Sequence, residues 1–240
     1  MKDARLMEHV TTTLPKRSDN LSVTLDSRLA KPTTEMVCSP SRAYYFVKRA
    51  SDIVLALFGL IALSPVFLGV ALYIKLIDGG PVLHFREIIG MHGKHFYAWK
   101  FRTMIPDADA YLAQRPDLLL KYQQNMKLRD DPRITKTGKF LRKTSLDELP
   151  QLVNVLIGQM TLVGPRIIHP SELQRFGTYA HKRLSIKPGI TGLWQISGRQ
   201  HVCYDERVML DMYYIDSRSL LGDLLILIKT LKVFVIHTGA

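Results

Sequence analysis

From Ile53 to Ile74 the chain reads IVLALFGLIALSPVFLGVALYI, without one Asp, Glu, Lys or Arg. No other stretch restricts the fold as much. About 20 apolar residues let a helix cross ~30 Å of hydrocarbon, but two features oppose a simple span. Ser64-Pro65 lies near the centre of the run. Proline removes a backbone hydrogen bond and crowds the preceding turn, so a helix kinks there, and the serine hydroxyl satisfies a freed carbonyl. Both flanks are also basic: Arg42, Lys48 and Arg49 on one side, Lys75, Arg86, Lys94, Lys100 and Arg102 on the other. The positive-inside rule then places both ends in the cytoplasm. A re-entrant membrane helix-break-helix over residues 41–78 meets both demands, bent back at Ser64-Pro65 into arms of about 11 residues, or ~16 Å each. A kinked span and a buried core helix are the other two forms this run can take.

The remaining chain divides around that segment. Residues 1–40 are polar, rich in Thr, Ser, Lys and Arg, and show no sustained period. They read as a disordered tail without the apolar core of a signal peptide. Residues 79–240 read as one mainly helical α+β domain. The net charge of +12 suits anionic lipid, phosphorylated small molecules or nucleic acid. Nucleic acid is disfavoured because the arginines are dispersed through apolar elements and form no recognition helix or stripe. Cys38 and Cys203 are the only cysteines, so neither a disulfide framework nor a cysteine metal site is expected.

Within residues 79–240, Pro81 to Arg102 alternates around a Gly90–Gly93 turn and predicts a β-hairpin. Lys100 and Arg102 share a strand face by the two-residue repeat, available to lipid headgroups or to a phosphate. Asp107 to Met126 predicts a helical excursion broken at Pro116, and Asp130-Asp131-Pro132-Arg133 a solvated turn in preference to an acidic metal site. Thr135 to Lys139 lacks the spacing of a phosphate loop. Leu220 to Ile236 predicts an amphipathic helix that packs on the core or lies in the membrane interface.

The chemistry-bearing stretch is Leu141-Arg142-Lys143-Thr144-Ser145-Leu146-Asp147-Glu148-Leu149-Pro150. Ser145 and Glu148 have capping-box spacing, and Pro150 suits a helix start. The pattern predicts a helix running into the apolar stretch Leu152–Leu162, with Asp147 in its first turn, where the macrodipole favours the ionised form. Two readings stay open on the residues alone: a nucleophile beside a metal ligand, or an ordinary acidic first turn. Beyond it, Gly164-Pro165-Arg166 and Ser197-Gly198-Arg199 each set an arginine in a loop, and a guanidinium there grips phosphate or carboxylate as a fork. Lys187 to Gln195 carries two glycines and a proline, so its backbone turns sharply and approaches something closely.

Taken in order, Lys48-Arg49 with Asp52, Ser64-Pro65, Lys100-Phe101-Arg102-Thr103-Met104, Arg142 through Pro150, Gly164-Pro165-Arg166 and Lys187-Pro188-Gly189-Ile190-Thr191-Gly192 resemble the monotopic polyprenol-phosphate phosphoglycosyl transferases, the bacterial sugar transferase family, of the type that initiates exopolysaccharide or O-antigen synthesis. The resemblance covers Tyr44 to Ile236. It departs once: the family has Gly-Pro-Arg-Pro where this chain has Ile167 after Arg166. The resemblance implies transfer of a sugar-1-phosphate from a UDP-sugar to undecaprenyl phosphate, with release of UMP, at the cytoplasmic face of the bacterial inner membrane. It implies Asp147 as nucleophile forming a covalent phosphosugar intermediate, Glu148 as ligand of a required Mg²⁺, and Arg142 as a phosphate contact. Lys100, Arg102, Arg166 and Arg199 are the further candidates for phosphate or nucleotide. The expected sugar is a hexose, galactose or glucose, with an N-acetyl amino sugar as the alternative. Implied partners are membrane lipids, downstream glycosyltransferases and a second copy of the chain in a homo-oligomer, but no nucleic acid. A non-catalytic membrane adaptor is the rival class. It explains the charge and the apolar run but not the paired carboxylates.

Overall fold

The computed structural model describes residues 40–125, 128, 130–197 and 203–237. The expected tail, apart from Pro40, and Arg199 lie outside the described residues. Helix α1 (Arg42–Ala62) starts where the Ser41 side chain accepts the Tyr44 backbone N–H at 3.2 Å. Helix α2 (Ser64–Ile77) follows after Leu63 with Pro65 in its first turn, at a bend of 58°. The Ser64 hydroxyl donates to the Ile61 carbonyl at 2.8 Å, as the freed backbone there requires. The arms are 21 and 14 residues long, longer than expected, because helix continues into the charged flanks on both sides. No single helix among the described residues is long and apolar enough to cross a membrane; the bent pair passes that test only together.

One side of α1 is polar and bonded to the body of the protein. Tyr44, Lys48, Asp52 and Ala56 recur every fourth residue and therefore share a face. Asp52 accepts the Thr161 hydroxyl at 2.7 Å and the Leu162 backbone N–H at 3.0 Å. Arg49, beside that face, donates to the Val155 and Leu156 carbonyls at 2.7 and 2.8 Å. The other faces of the pair carry exposed apolar side chains, among them Val54, Phe58, Ile61, Leu68 and Leu76.

Strands β1 (Leu83–Ile89) and β2 (His95–Phe101) form the expected antiparallel hairpin, with Phe85 opposite Trp99. Short helices over Ala108–Ala113 and Pro116–Asn125 break at Pro116 as the sequence predicts. Helix α3 (Lys136–Thr144) is capped by Thr135, whose hydroxyl also donates to Asp78 at 2.8 Å. This is the stretch that only superficially resembles a phosphate loop.

A 3₁₀ turn (Leu146–Glu148) leads to helix α4 (Gln151–Leu156). The apolar run to Leu162 is therefore not one helix. It turns at Gly158, φ 84°, and continues as strand β3 (Thr161–Val163). Parallel pairing with β4 (Gly189–Thr191) ends the helix early. That pairing brings two backbones very close: a Cβ on Gly189 would sit 2.2 Å from the Gly164 nitrogen, so no larger residue fits. Helices α5 (Tyr204–Ser217) and α6 (Leu220–His237) complete the fold.

Three apolar clusters hold these elements together. Ala56 of α1 packs with Ile88, Phe96, Ala98, Leu152, Val155, Met160 and Ile167. Val70 and Ile74 of α2 pack with Phe101 and Leu141. A third cluster joins Val163 and Ile168 to Phe176, Leu193 and the inner faces of α5 and α6. The first two grip the segments on either side of the 3₁₀ turn, so the bent pair and the carboxylates share one framework.

Candidate active site

The site is built where α3 stops. Ser145 closes that helix in the left-handed conformation, φ 55° and ψ 18°, and its backbone N–H returns to the Arg142 carbonyl at 3.3 Å. It is thus the C-cap of α3 and not the N-cap of the next helix; an N-cap needs extended backbone. Leu146 folds back on the cluster containing Leu141, an apolar contact that accompanies left-handed helix ends. The capping-box expectation fails for this reason, and with it the helix start beneath Asp147. Both carboxylates sit on the 3₁₀ turn, without an α-helix dipole behind them.

Asp147 is buried, at 9% exposure. Burial first, and the Glu148 charge next, push its carboxyl up to about 6, while Lys100, Arg142 and its own backbone N–H pull the other way. The sequence expectation of a carboxylate favoured in its ionised form is therefore reversed, because desolvation penalises the charged form where no macrodipole offsets it. Burial also opposes ionisation of Glu148. There the Lys100 ammonium and the Arg166 guanidinium outweigh it and hold the group well below the usual carboxylate range. Lys100 Nζ donates to Glu148 Oε1 at 2.5 Å.

Lys100 and Arg102 part company. Lys100 lies within β2 and reaches Glu148; Arg102 lies one residue past its end. The Arg102 guanidinium is buried and donates to the Gly79 carbonyl at the exit of α2, away from the pair. Arg142 projects from α3, its Nε donating to the Thr103 hydroxyl at 2.9 Å, and its charge acts on Asp147. Arg166 follows β3, packs its guanidinium 5.4 Å from the Trp194 ring centroid and acts on Glu148. Ile167 fills an apolar position beside it, so the loop is held by packing where the family pattern has a ring. Asp131, expected in a solvated turn, is buried and paired with Arg133 at 2.7 Å, because the turn folds inward.

The arrangement therefore gathers Asp147, Glu148, Lys100, Arg142 and Arg166, and leaves Arg102 apart. Missed by sequence reasoning were Asn154 and Trp194. Asn154, fully buried, accepts the Trp99 backbone N–H at 3.0 Å and donates to the Tyr97 carbonyl at 2.8 Å, locking β2 to α4. The one available signal was a polar residue inside the run Leu152–Leu156.

A carboxylate pair with opposed ionisation, four cations acting on it (Lys100, Arg142, Arg166 and Arg86) and a large unpartnered apolar surface nearby suits an anionic substrate handled at a lipid boundary. The known proteins agree with that chemistry. The sequence pattern of the family described as bacterial sugar transferase matches residues 43–237. The undecaprenyl-phosphate galactose phosphotransferase of Salmonella typhimurium is 45% identical over 204 residues, which cover 83% of this chain and 42% of that protein. The exopolysaccharide production protein ExoY of Sinorhizobium fredii is 43% identical over 197 residues, 80% of this chain and 87% of that protein. The UDP-glucose:undecaprenyl-phosphate glucose-1-phosphate transferase of Escherichia coli is 40% identical over 192 residues, 77% of this chain and 39% of that protein. The chain thus spans less than half of the Salmonella and Escherichia proteins and most of ExoY. By the extent of the family match and by its likeness to ExoY, the chain belongs to the bacterial sugar transferase family.

Proposed function

We propose that this protein transfers a hexose-1-phosphate, galactose or glucose, from a UDP-sugar to undecaprenyl phosphate, releases UMP, and so begins assembly of an exopolysaccharide- or O-antigen-type glycan for downstream glycosyltransferases. The observation that carries the reading is Asp147: a buried carboxylate raised by its surroundings, beside a second carboxylate held ionised by Lys100. The names of the Salmonella and Escherichia relatives specify galactose and glucose, and support a hexose over an N-acetyl amino sugar.

In the first step an Asp147 oxygen attacks the sugar-bearing phosphorus of the UDP-sugar. The bond from that phosphorus to the bridging oxygen breaks, and UMP leaves with that oxygen. The product is a phosphosugar ester of Asp147. In the second step a phosphate oxygen of undecaprenyl phosphate attacks the same phosphorus and displaces Asp147, which returns as a carboxylate. Two displacements at one carboxylate let a soluble donor and a lipid acceptor use the site in turn. Arg142 lies beside Asp147 and orients the transferring phosphoryl group; Arg166, farther along, receives the leaving phosphate. Lys100 keeps Glu148 charged and placed.

A Mg²⁺ ion fits these residues. It takes one or two carboxylates plus substrate phosphates in preference to an all-protein cage, and among the described residues no cluster of three or more His, Cys, Asp or Glu side chains offers a cage. Glu148, with Asp147 adjacent, would hold it, and when bound it neutralises charge on the diphosphate. Residues 41–78 form the re-entrant anchor in this reading, and 79–240 the catalytic domain at the cytoplasmic face. The exposed apolar faces of the bent pair supply the lipid contact, and the basic flanks attract anionic headgroups. The test is UMP release from membranes given undecaprenyl phosphate, Mg²⁺ and a panel of UDP-sugars. UMP with UDP-galactose or UDP-glucose is expected. UMP only with an N-acetyl amino sugar overturns the hexose assignment, and none with any donor overturns the reaction.

A further inference from the structure

Arg183 is among the largest fully buried side chains, at 0% exposure. It has no carboxylate within ion-pair distance among the described residues. Its hydrogen bond runs from Nη2 to the backbone carbonyl of Arg166, at 2.5 Å, while Nε and Nη1 have no partner. Asp211, from the middle of α5, is 3% exposed and leaves Oδ1 without a partner. Burial pushes its carboxyl up to about 7, against the Arg183 and Arg166 charges and a hydrogen bond from the backbone N–H of the same residue, Arg166. The two charges also attract one another across the interior.

Burying a guanidinium and a carboxylate without pairing them directly is expensive, and each orphaned buried group calls for a reason. Here both charges converge on the main chain of one residue. Arg166 is further fixed by a parallel bridge to Gly189 and by Gly189 N–H donating to the Pro165 carbonyl at 2.8 Å. Its backbone is held from three sides, and from it the guanidinium packs over the Trp194 ring, within electrostatic reach of Glu148.

We propose that Arg183 and Asp211 are positioning residues, a buried clamp on the Arg166 backbone that aims its guanidinium at the phosphate of the nucleotide donor. The catalytic half of this inference rests on the proposed transferase reading; the structural half does not. A misplacement of about 1 Å in a group that binds a reacting phosphate costs roughly 10- to 100-fold in rate.

The test separates the halves. The protein has two tryptophans, so in a Trp99→Phe background Trp194 is the only indole; the Arg166 and Arg207 guanidiniums pack 5.4 and 4.8 Å from its ring centroid, and the paired Arg166→Ala variants isolate the Arg166 share of its emission. Arg183→Met and Asp211→Asn are each made with Arg166 intact and with Arg166→Ala, in the full-length protein in detergent. Asp211→Asn keeps the shape and carries the test if Arg183→Met does not fold. Trp194 emission is expected to change in either variant when Arg166 is present and to stay constant when it is Ala. For UMP release, each variant is expected to lose roughly 10- to 100-fold in kcat/KM with Arg166 present and under about 2-fold with Arg166→Ala, the non-additivity of residues acting through one another. Unmoved emission with Arg166 present overturns the clamp. Equal fold-losses in both backgrounds overturn its catalytic purpose. Absence of UMP from the wild type overturns the transferase reading, while emission still decides the clamp.

Discussion

Two carboxylates lie buried near the N-terminal helix and the hairpin, and their surroundings treat them differently. Asp223 at the start of α6 is satisfied on both oxygens. Oδ1 accepts Tyr214 at 2.7 Å, and Oδ2 accepts Lys48 at 2.6 Å and Tyr44 at 3.2 Å. Asp147 is equally buried, yet its hydrogen bond is to its own backbone N–H, and a second carboxylate stands beside it. Burial alone therefore distinguishes nothing. A carboxylate whose oxygens are all bonded holds elements together, here α1 against α5 and α6. One kept short of partners keeps its oxygens available for phosphorus.

That contrast predicts its largest effect at Asp147. Asp147→Asn is expected to lower UMP release by at least about 1,000-fold while the protein melts at or above the wild-type temperature, since removing an ill-solvated charge does not weaken the fold. A collapse of the melting temperature would make Asp147 a structural residue like Asp223. The converse change, Asp223→Asn, leaves the half-buried Lys48 without its counter-charge. It is expected to cost about 3 kcal/mol of stability, seen as a lower denaturation midpoint in detergent, with kcat per folded molecule little changed.

The pH dependence follows the same contrast. The proposed attack requires ionised Asp147, so kcat/KM is expected to fall about tenfold per pH unit below about 6 and to be level above it. For stability the sign is opposite. An acid raised in the fold holds its proton where the unfolded chain has lost it, so its contribution is fully present below the ordinary carboxylate value. It is lost as pH rises through about 6. Melting temperature measured across that window should drop with rising pH in the wild type and less so in Asp147→Asn. The smallest effect expected is Ser41→Ala, which removes the cap of the helix carrying Tyr44 and Lys48 to Asp223. It should cost about 1 kcal/mol and leave turnover unchanged; a loss of activity would tie the helix start to the site.

How far the residues alone reached can be followed through three of them. Pro65 was legible, because a missing N–H acts locally whatever surrounds it, and the 58° bend appears where it stands. Ser145 was misread. A hydroxyl three residues before a glutamate marks a helix start only if its backbone is extended, and the packing of Leu146 against the Leu141 cluster decides otherwise. Arg102 shares a face with Lys100 by strand alternation, but β2 ends at Phe101, and the Arg102 guanidinium donates to the Gly79 carbonyl.

By itself, then, the sequence determined the broken apolar helix, the hairpin, the adjacency of Asp147 and Glu148 and the family, because each is written in contiguous residues whose physics is local. Tertiary structure alone decided which arginines face the carboxylate pair and which brace the fold, and it turned Asp147 from a helix-stabilised anion into a carboxyl raised to about 6. Those outcomes depend on desolvation and on charges brought from β2, α3 and the loop after β3. No spacing along the chain records how deeply a group will be buried or which distant cation will face it.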